Sequence, residues 1–275
     1  MQLAEIEALF RQHWRPGWGS IAAGEVLYVQ GLIEEHRPRR FLEVGMASGM
    51  SGGLISRILD EYGGEAFTTL DHDNTFFGDP TKENGFLLED IYPGGRVEVT
   101  KRPFTTTLDL DDLGESFDMA FIDANHQHPW PLLDTLLVFP HLTGPRILLH
   151  HDLKLFKDQQ VPIGIGPKYV YDQLPDSLVD RASTNRGNLF SVRMDLTADE
   201  LAERAIEGLH LPWTLRFPLK PRQLRPIRNS LRRHYGDALV EAFNVCVERF
   251  NPAPAAGRPA PDTPVTPGTS SAPSH

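Results

Sequence analysis

Arg40-Phe-Leu-Glu43-Val-Gly45-Met-Ala-Ser48-Gly49-Met-Ser-Gly52-Gly53-Leu54 is the stretch whose reading decides the fold. An apolar run, Arg40 to Val44, meets a glycine-rich turn, and helical spacing follows over Ser51 to Tyr62. Glycines at such a strand-to-helix switch permit tight backbone conformations and close approach by a ligand. A dinucleotide fold uses G-x-G-x-x-G and a phosphate-binding loop uses G-x4-G-K-[ST]; here Gly45 and Gly49 give G-x3-G with no lysine, which disfavours both. A tight turn holding no ligand is the structural alternative.

Outward from this turn, short apolar runs alternate with amphipathic stretches. The runs are Arg40 to Val44, Ala66 to Leu70, Arg96 to Thr100, Phe117 to Ile122 and Arg146 to His150. Stretches such as Ser51 to Tyr62 and Trp130 to Phe139 have the length and period of right-handed crossover helices. The predicted fold is α/β, a doubly wound, mostly parallel Rossmann-like sheet. Asn188 to Met194 reads as an antiparallel edge strand whose neighbour the pattern does not identify. Residues 1–37 read as N-terminal helices, 38–195 as the sheet domain, and 196–250 as a helical extension that includes Ala198 to Gly208 and Asp237 to Phe250. Residues 251–275 are almost wholly Pro, Ala, Thr, Ser and Gly, a composition that cannot bury a core and is expected to be disordered.

Composition narrows the function. Of 275 residues, 40% are hydrophobic and 23% charged, as in ordinary globular proteins, and no apolar run is long enough to span a bilayer. The first residues, MQLAEIEALFRQHW, read as an amphipathic helix and not a signal peptide. One cysteine, Cys246, leaves no intrachain disulfide or cysteine-based zinc site, and a cytoplasmic location is expected. The net charge of −10 divides into −14 over residues 1–200, +4 over 201–251 and zero beyond. So acidic a body argues against a nucleic-acid substrate. Between Arg216 and Arg233 lie Arg216, Lys220, Arg222, Arg225, Arg228, Arg232 and Arg233, with Pro218, Pro221 and Pro226 keeping the first half from being helical. This segment reads as a surface docking against the acidic body or between copies in a homo-oligomer; a phosphorylated or carboxylated substrate and nucleic acid are the alternatives.

The strand after the glycine turn ends in Asp71, a carboxylate placed to accept hydrogen bonds from ribose hydroxyls at the sheet's carboxyl edge. With Glu43 followed by G-x3-G, and Asp71 after the next strand, residues 38–195 resemble the class I S-adenosylmethionine-dependent methyltransferases. The resemblance implies that Glu43, Gly45, Met46, Ser48 and Gly49 form the cofactor loop against the methionine part, with Asp71 on the ribose and Asp123 also beside the cofactor. After the third strand, where the family often has a polar or acidic residue near adenine, this chain has Lys101, Arg102 and Pro103, and the adenine contacts are left open.

Phe117 to Asp123 delivers a carboxylate at a strand end, followed by Asn125-His126-Gln127-His128, and the next strand delivers His150-His151-Asp152 to the same edge. Adjacent parallel strands bring Asp123 and Asp152 within reach of one hard cation such as Mg²⁺. These segments resemble the metal-assisted branch of the small-molecule O-methyltransferases, of the catechol, caffeoyl-CoA and macrolide-sugar type, which implies a small-molecule substrate. That resemblance implies metal ligands Asp123, His151 and Asp152 and a catalytic base, His126, that deprotonates a cation-bound hydroxyl; an acid is common where this chain has His151. The structural alternatives are Asp123 as a turn cap, His126 and His128 as loop residues, and Asp152 as a group orienting cofactor or substrate without a metal; His150 reads as a packed strand residue. A metal-independent O- or N-methyltransferase and a non-catalytic cofactor-binding protein are the competing readings. Asn74 to Gly85 and Val161 to Lys168 follow strand ends and are lid candidates.

Overall fold

The computed structural model describes residues 1–158, 162–180 and 188–251. Val161 of the second lid candidate and residues 252–275 of the tail lie outside them. Helices α1 (Leu3–His13) and α2 (Ala23–His36) precede β1 (Arg40–Val44), α3 (Met50–Tyr62) and β2 (Ala66–Asp71). Then come α4 (Leu88–Ile91), β3 (Glu98–Pro103), α5 (Leu110–Leu113), β4 (Phe117–Ile122), α6 (Trp130–Val138) and β5 (Leu142–His150). The chain continues through α7 (Gly166–Gln173), β6 (Val179–Asp180), β7 (Phe190–Arg193), α8 (Ala198–Leu209), α9 (Pro221–Tyr235) and α10 (Asp237–Phe250). Among the described residues no helix is long and apolar enough to cross a membrane.

The strands form one seven-stranded sheet in the order β3-β2-β1-β4-β5-β7-β6. The five from β3 to β5 pair in parallel, and β7 runs antiparallel to β5. The fold is therefore the mostly parallel, Rossmann-like sheet with an antiparallel edge that the periodicity predicts. The neighbour of β7 left unidentified by the sequence is β6, two residues long and too short to leave a pattern. Strand order reverses between β1 and β4, so the crevice at their carboxyl ends is the switch point where such sheets bind ligands.

Alternation along the strands builds a core on each face. Phe41, Phe67, Met119, Phe121, Ile147 and Leu149 pack toward Val29 and Ile33 of α2 and Leu54 and Ile58 of α3. Leu42, Val44, Ala120, Ile122 and Leu148 pack toward Leu133 and Leu136 of α6, Leu209 of α8, Leu231 of α9 and Phe243 of α10. Strand β3 starts two residues later than its apolar run suggests and extends to Pro103. As the edge strand it is nowhere fully buried, so Val97 and Val99 mark its entry and not its length.

The basic segment departs from expectation. Its first half is helical from Pro221, which sits at the first helical position, where a missing N–H costs nothing. Pro226 lies inside α9, where it forfeits one backbone hydrogen bond. Burial of Ile227, Ser230, Leu231 and Tyr235 along one face holds the helix despite that loss. Docking against the acidic body is visible at Asp111, which Arg233 Nη1 approaches to 3.3 Å and His234 Nε2 to 2.7 Å.

Glu43, fully buried in β1, joins three elements: its carboxyl group accepts from Ser51 Oγ of α3 at 2.7 Å and from Thr69 Oγ1 of β2 at 2.6 Å. Burial pushes its pKa up from 4.5 to about 8, against those two hydrogen bonds. The folded chain thus binds this proton more tightly than the unfolded chain, a contribution fully present below about pH 4.5 and lost as pH rises toward 8. Glu43→Gln removes that titration. In urea unfolding the variant should gain on the parent across this interval by up to several kcal/mol, at about 1.4 kcal/mol per pKa unit. Parallel pH profiles for the two proteins would refute the assignment.

Candidate functional site

The glycine turn leaves β1 beneath the end of β4. Gly45 has φ 104°, and a Cβ there would lie 2.2 Å from the carbonyl oxygen of Asp123. Gly49, at φ 83°, starts α3, and its Cβ would lie 2.7 Å from Gly85 Cα. Both positions need glycine for conformation and for space. Asp71 closes the turn from β2: its Oδ2 accepts the N–H groups of Met46 at 3.0 Å and Ala47 at 3.3 Å. Burial raises the Asp71 pKa, but His72 and three backbone N–H groups outweigh it and hold the group ionised.

Glu43 lies under this turn and is satisfied from within the fold. Met46 and Ser48 are each 1% exposed, so at these positions the turn has backbone and not side chain to present. The Asn74 to Gly85 lid candidate packs over it: Gly85 N–H donates to Ala47 O at 2.8 Å and Leu87 N–H to Ser48 O at 2.9 Å. Phe76 of that loop meets Trp18 and Phe86 in an aromatic cluster. Lys101 and Arg102, near the open adenine position, instead pair with Glu89 and Glu115.

The second half-site gathers at the ends of β4 and β5. His126 Nε2 stands 3.3 Å from Asp123 Oδ1 and 3.1 Å from Asp152 Oδ2. One donor atom from each of Asp123, His126 and Asp152 lies within 4.8 Å of the other two, close enough to surround one ion. His151 Nδ1 is 3.3 Å from Asp123 Oδ1 and 3.5 Å from Asp152 Oδ1, while its Nε2 faces Glu25 Oε2 at 3.2 Å. The four residues predicted here do come together. It is His126, expected as the base, that completes the three-atom donor set, while His151 is held from behind by Glu25. His150 points into the core, stacked on Phe190 and bonded to Thr135 at 3.0 Å.

The charges are interdependent. Burial raises the pKa of Asp123, but the two imidazoles overcome it and hold the carboxylate well below its ordinary range. Burial lowers those of His126 and His151, and the carboxylates overcome it in the opposite direction. Asp152 is raised, chiefly by burial with the Asp123 charge adding. Its backbone is left-handed, φ 59°, a conformation that costs a residue with a side chain about 1–2 kcal/mol. Asn188 holds it there, with Nδ2 donating to Asp152 Oδ1 at 2.6 Å and its own carbonyl accepting Leu153 N–H at 3.0 Å.

Beside this cluster opens a cavity of about 740 Å³. Phe10 and Trp14 of the N-terminal segment and Ile21 give it apolar wall; Glu25, His151, Asp152 and Asn188 give it polar lining. Glu25 and Asn188 are the residues that sequence reasoning missed. Glu25 carried a signal: it shares one helical face with the buried Val29 and Leu32, and a carboxylate there needs a partner. Asn188 carried none, being one polar residue at the head of a strand.

Residues 42–153 match a family model described as a methyltransferase domain. No curated protein sequence matches the chain. Solved structures similar to it include the O-methyltransferase TomG of Streptomyces achromogenes in complex with SAM, 17% identical, with 69% of this chain and 86% of that one covered at TM-score 0.48. An O-methyltransferase from Bacillus cereus in complex with SAH is 17% identical, with 70% and 90% covered at TM-score 0.45. A putative caffeoyl-CoA O-methyltransferase from Staphylococcus aureus is 13% identical, with 70% and 92% covered at TM-score 0.49.

Two substitutions probe the site. Gly45→Ala meets both the φ 104° backbone and the Asp123 carbonyl, so it should lower stability by more than the ~1–2 kcal/mol of the conformational term alone; unchanged thermal unfolding would contradict the packing. Glu25→Ala strands the buried Nε2 of His151 and the Asn188 N–H, for a loss of about 1–3 kcal/mol per group. Hydrogen exchange at Asn188 and Leu153 should accelerate with it, and an unaltered pattern would show that Glu25 does not hold the cluster.

Proposed function

We propose, on the premise that residues 42–153 match a methyltransferase-domain model, that the chain transfers the methyl group of S-adenosylmethionine to a hydroxyl of a small molecule, assisted by a divalent cation. The observation that carries this reading is convergence: the glycine turn, Asp71 and the Asp123–His126–Asp152 cluster share the switch point of the sheet, and a cavity opens against Asp152. In this reading Asp71 accepts from ribose hydroxyls and the Gly45 to Gly49 backbone lies along the methionine part. S-adenosylmethionine supplies an electrophilic methyl group on a sulfonium.

Two carboxylates and an imidazole with donor atoms inside 4.8 Å suit a hard divalent cation such as Mg²⁺. Asp123 and Asp152 would hold it, with His151 Nδ1 beside them and His126 left to act on the acceptor, and when bound it would supply Lewis acidity that makes a neighbouring hydroxyl more acidic. The chain's own residues do the rest. Phe10, Trp14 and Ile21 hold an apolar acceptor and exclude water, while Glu25 fixes the orientation of His151. His126 Nε2, between two carboxylates, is the group to receive the hydroxyl proton. Because a carboxylate that orients an imidazole is also the arrangement of a metal-free base, a second reading drops the cation and keeps His126.

Titration calorimetry with S-adenosylmethionine should show one site per chain, and heat no greater than dilution at millimolar cofactor would sink both readings. Methyl transfer from labelled cofactor, followed over a panel of small hydroxylated acceptors, should fall by about 10²–10⁴-fold in His126→Ala. Exhaustive EDTA treatment should abolish turnover and added Mg²⁺ restore it. Turnover that survives chelation, yet is still lost in His126→Ala, would select the metal-free base.

A further inference from the structure

A second cluster lies at the opposite edge of the sheet. Asp111 of α5, His141 in the turn that leads into β5, and His234 in the last turn of α9 each present one donor atom within 4.8 Å of the others. His141 immediately precedes β5, whereas His151 follows it. Nine strand residues lie between, so the clusters are separated by about 30 Å at ~3.3 Å per residue. Nothing in the proposed methyl transfer uses this second group.

The hydrogen bonding of His141 shows what the cluster lacks. His141 Nδ1 lies 3.2 Å from the carbonyl oxygen of Glu115, which can only accept, so Nδ1 carries the hydrogen. In the neutral ring Nε2 then presents a lone pair. That atom is buried, makes no hydrogen bond, and stands 3.4 Å from Asp111 Oδ1, another acceptor. Two acceptors facing each other in a partly buried site leave a place for a cation. The third member, His234 Nε2, is 2.7 Å from the same Asp111 oxygen. Arg233 lies 3.3 Å from the other oxygen, Asp111 Oδ2, and the Ser230 hydroxyl also donates to this carboxylate.

We infer that Asp111, His141 and His234 form a site for a transition-metal ion of the zinc class, which pins the C-terminal helix α9 to the amino-terminal edge of the sheet. Two imidazoles and one carboxylate are a borderline donor set suited to Zn²⁺, in contrast to the oxygen-rich Asp123–His126–Asp152 group. Tetrahedral bonds of about 2.0–2.1 Å place donor atoms about 3.4 Å apart, the separation already present between His141 Nε2 and Asp111 Oδ1. His234 Nε2 has to release the hydrogen it shares with Asp111 and move outward from 2.7 Å, a shift open to a ring that is only partly buried. The Glu115 carbonyl fixes the tautomer and orientation of His141, the support that zinc-bound imidazoles ordinarily have. Water fills the fourth position.

The test uses the full chain, stripped with chelator and dialysed, then titrated with Zn²⁺ against a chromophoric chelator and with Co²⁺ by visible absorption. The parent and His126→Gln should both bind one tight Zn²⁺ and give the intense spectrum of tetrahedral Co²⁺. His234→Gln and His141→Gln should each bind it more weakly by at least the ~10–100-fold that losing a mere supporting contact costs. Zn²⁺ should raise the melting temperature of the parent and leave that of His234→Gln unchanged. Circular dichroism checks that the variants fold, and His234, the less buried of the two, is the safer. Equal zinc affinity in the parent and His234→Gln, or a parent that binds no Zn²⁺, would overturn the inference.

Discussion

The contact between Gly45 and the Asp123 carbonyl sets the geometry on which the candidate active site depends. Strands β1 and β4 are parallel neighbours, and Asp123 N–H donates to Val44 O at 2.8 Å, so the chain leaving β1 has to pass directly beneath the chain leaving β4. Only a hydrogen atom fits in the space between them. One close approach therefore fixes the distance from the glycine turn to the carboxylate cluster, the dimension that a group-transfer site has to hold constant. Below it Glu43 ties β1, β2 and α3 through two hydroxyl donors, and its raised pKa removes a negative charge that would otherwise oppose Asp71 and Asp123.

Above the turn, stability and chemistry draw on the same groups. Glu25, Asp123 and Asp152 share two imidazoles, and each member's charge state is set by its neighbours. In so dry a location a network of this kind is satisfied jointly or not at all. The left-handed backbone of Asp152 stores strain that Asn188 holds in place, as is common where a backbone has to aim a functional group.

Features set by local pattern could be read from the sequence. The five parallel strands and the helices between them show as alternating apolar runs, and Gly45, Gly49, Asp71, Asp123, His126, His151 and Asp152 stand at the strand ends that such a sheet brings to one edge. Features set by tertiary context could not. β6 has too few residues to show a period. Pro226 argues locally against a helix that burial of Ile227 and Leu231 holds in place. Which nitrogen His151 turns to which acid depends on Glu25, 126 residues away, and no spacing rule spans that interval. Met46 and Ser48 are buried by packing from outside the turn, so the surface the turn presents is its backbone, which residue identity alone does not reveal.

The route from Glu25 through His151 to Asp152 and Asn188 also has a bearing on biosynthesis. The cluster draws on α2, on the ends of β4 and β5, and on the residue that leads into β7, so it joins segments made early and late in translation. While the ribosome is still short of residue 188, the sheet from β1 to β5 can already pair, yet Asp152 lacks its Asn188 partner and Glu25 lacks one of its donors. A nascent chain arrested there holds buried, incompletely paired carboxylates at the edge of a finished parallel sheet, and a ribosomal pause just beyond β5 would prolong its most vulnerable state.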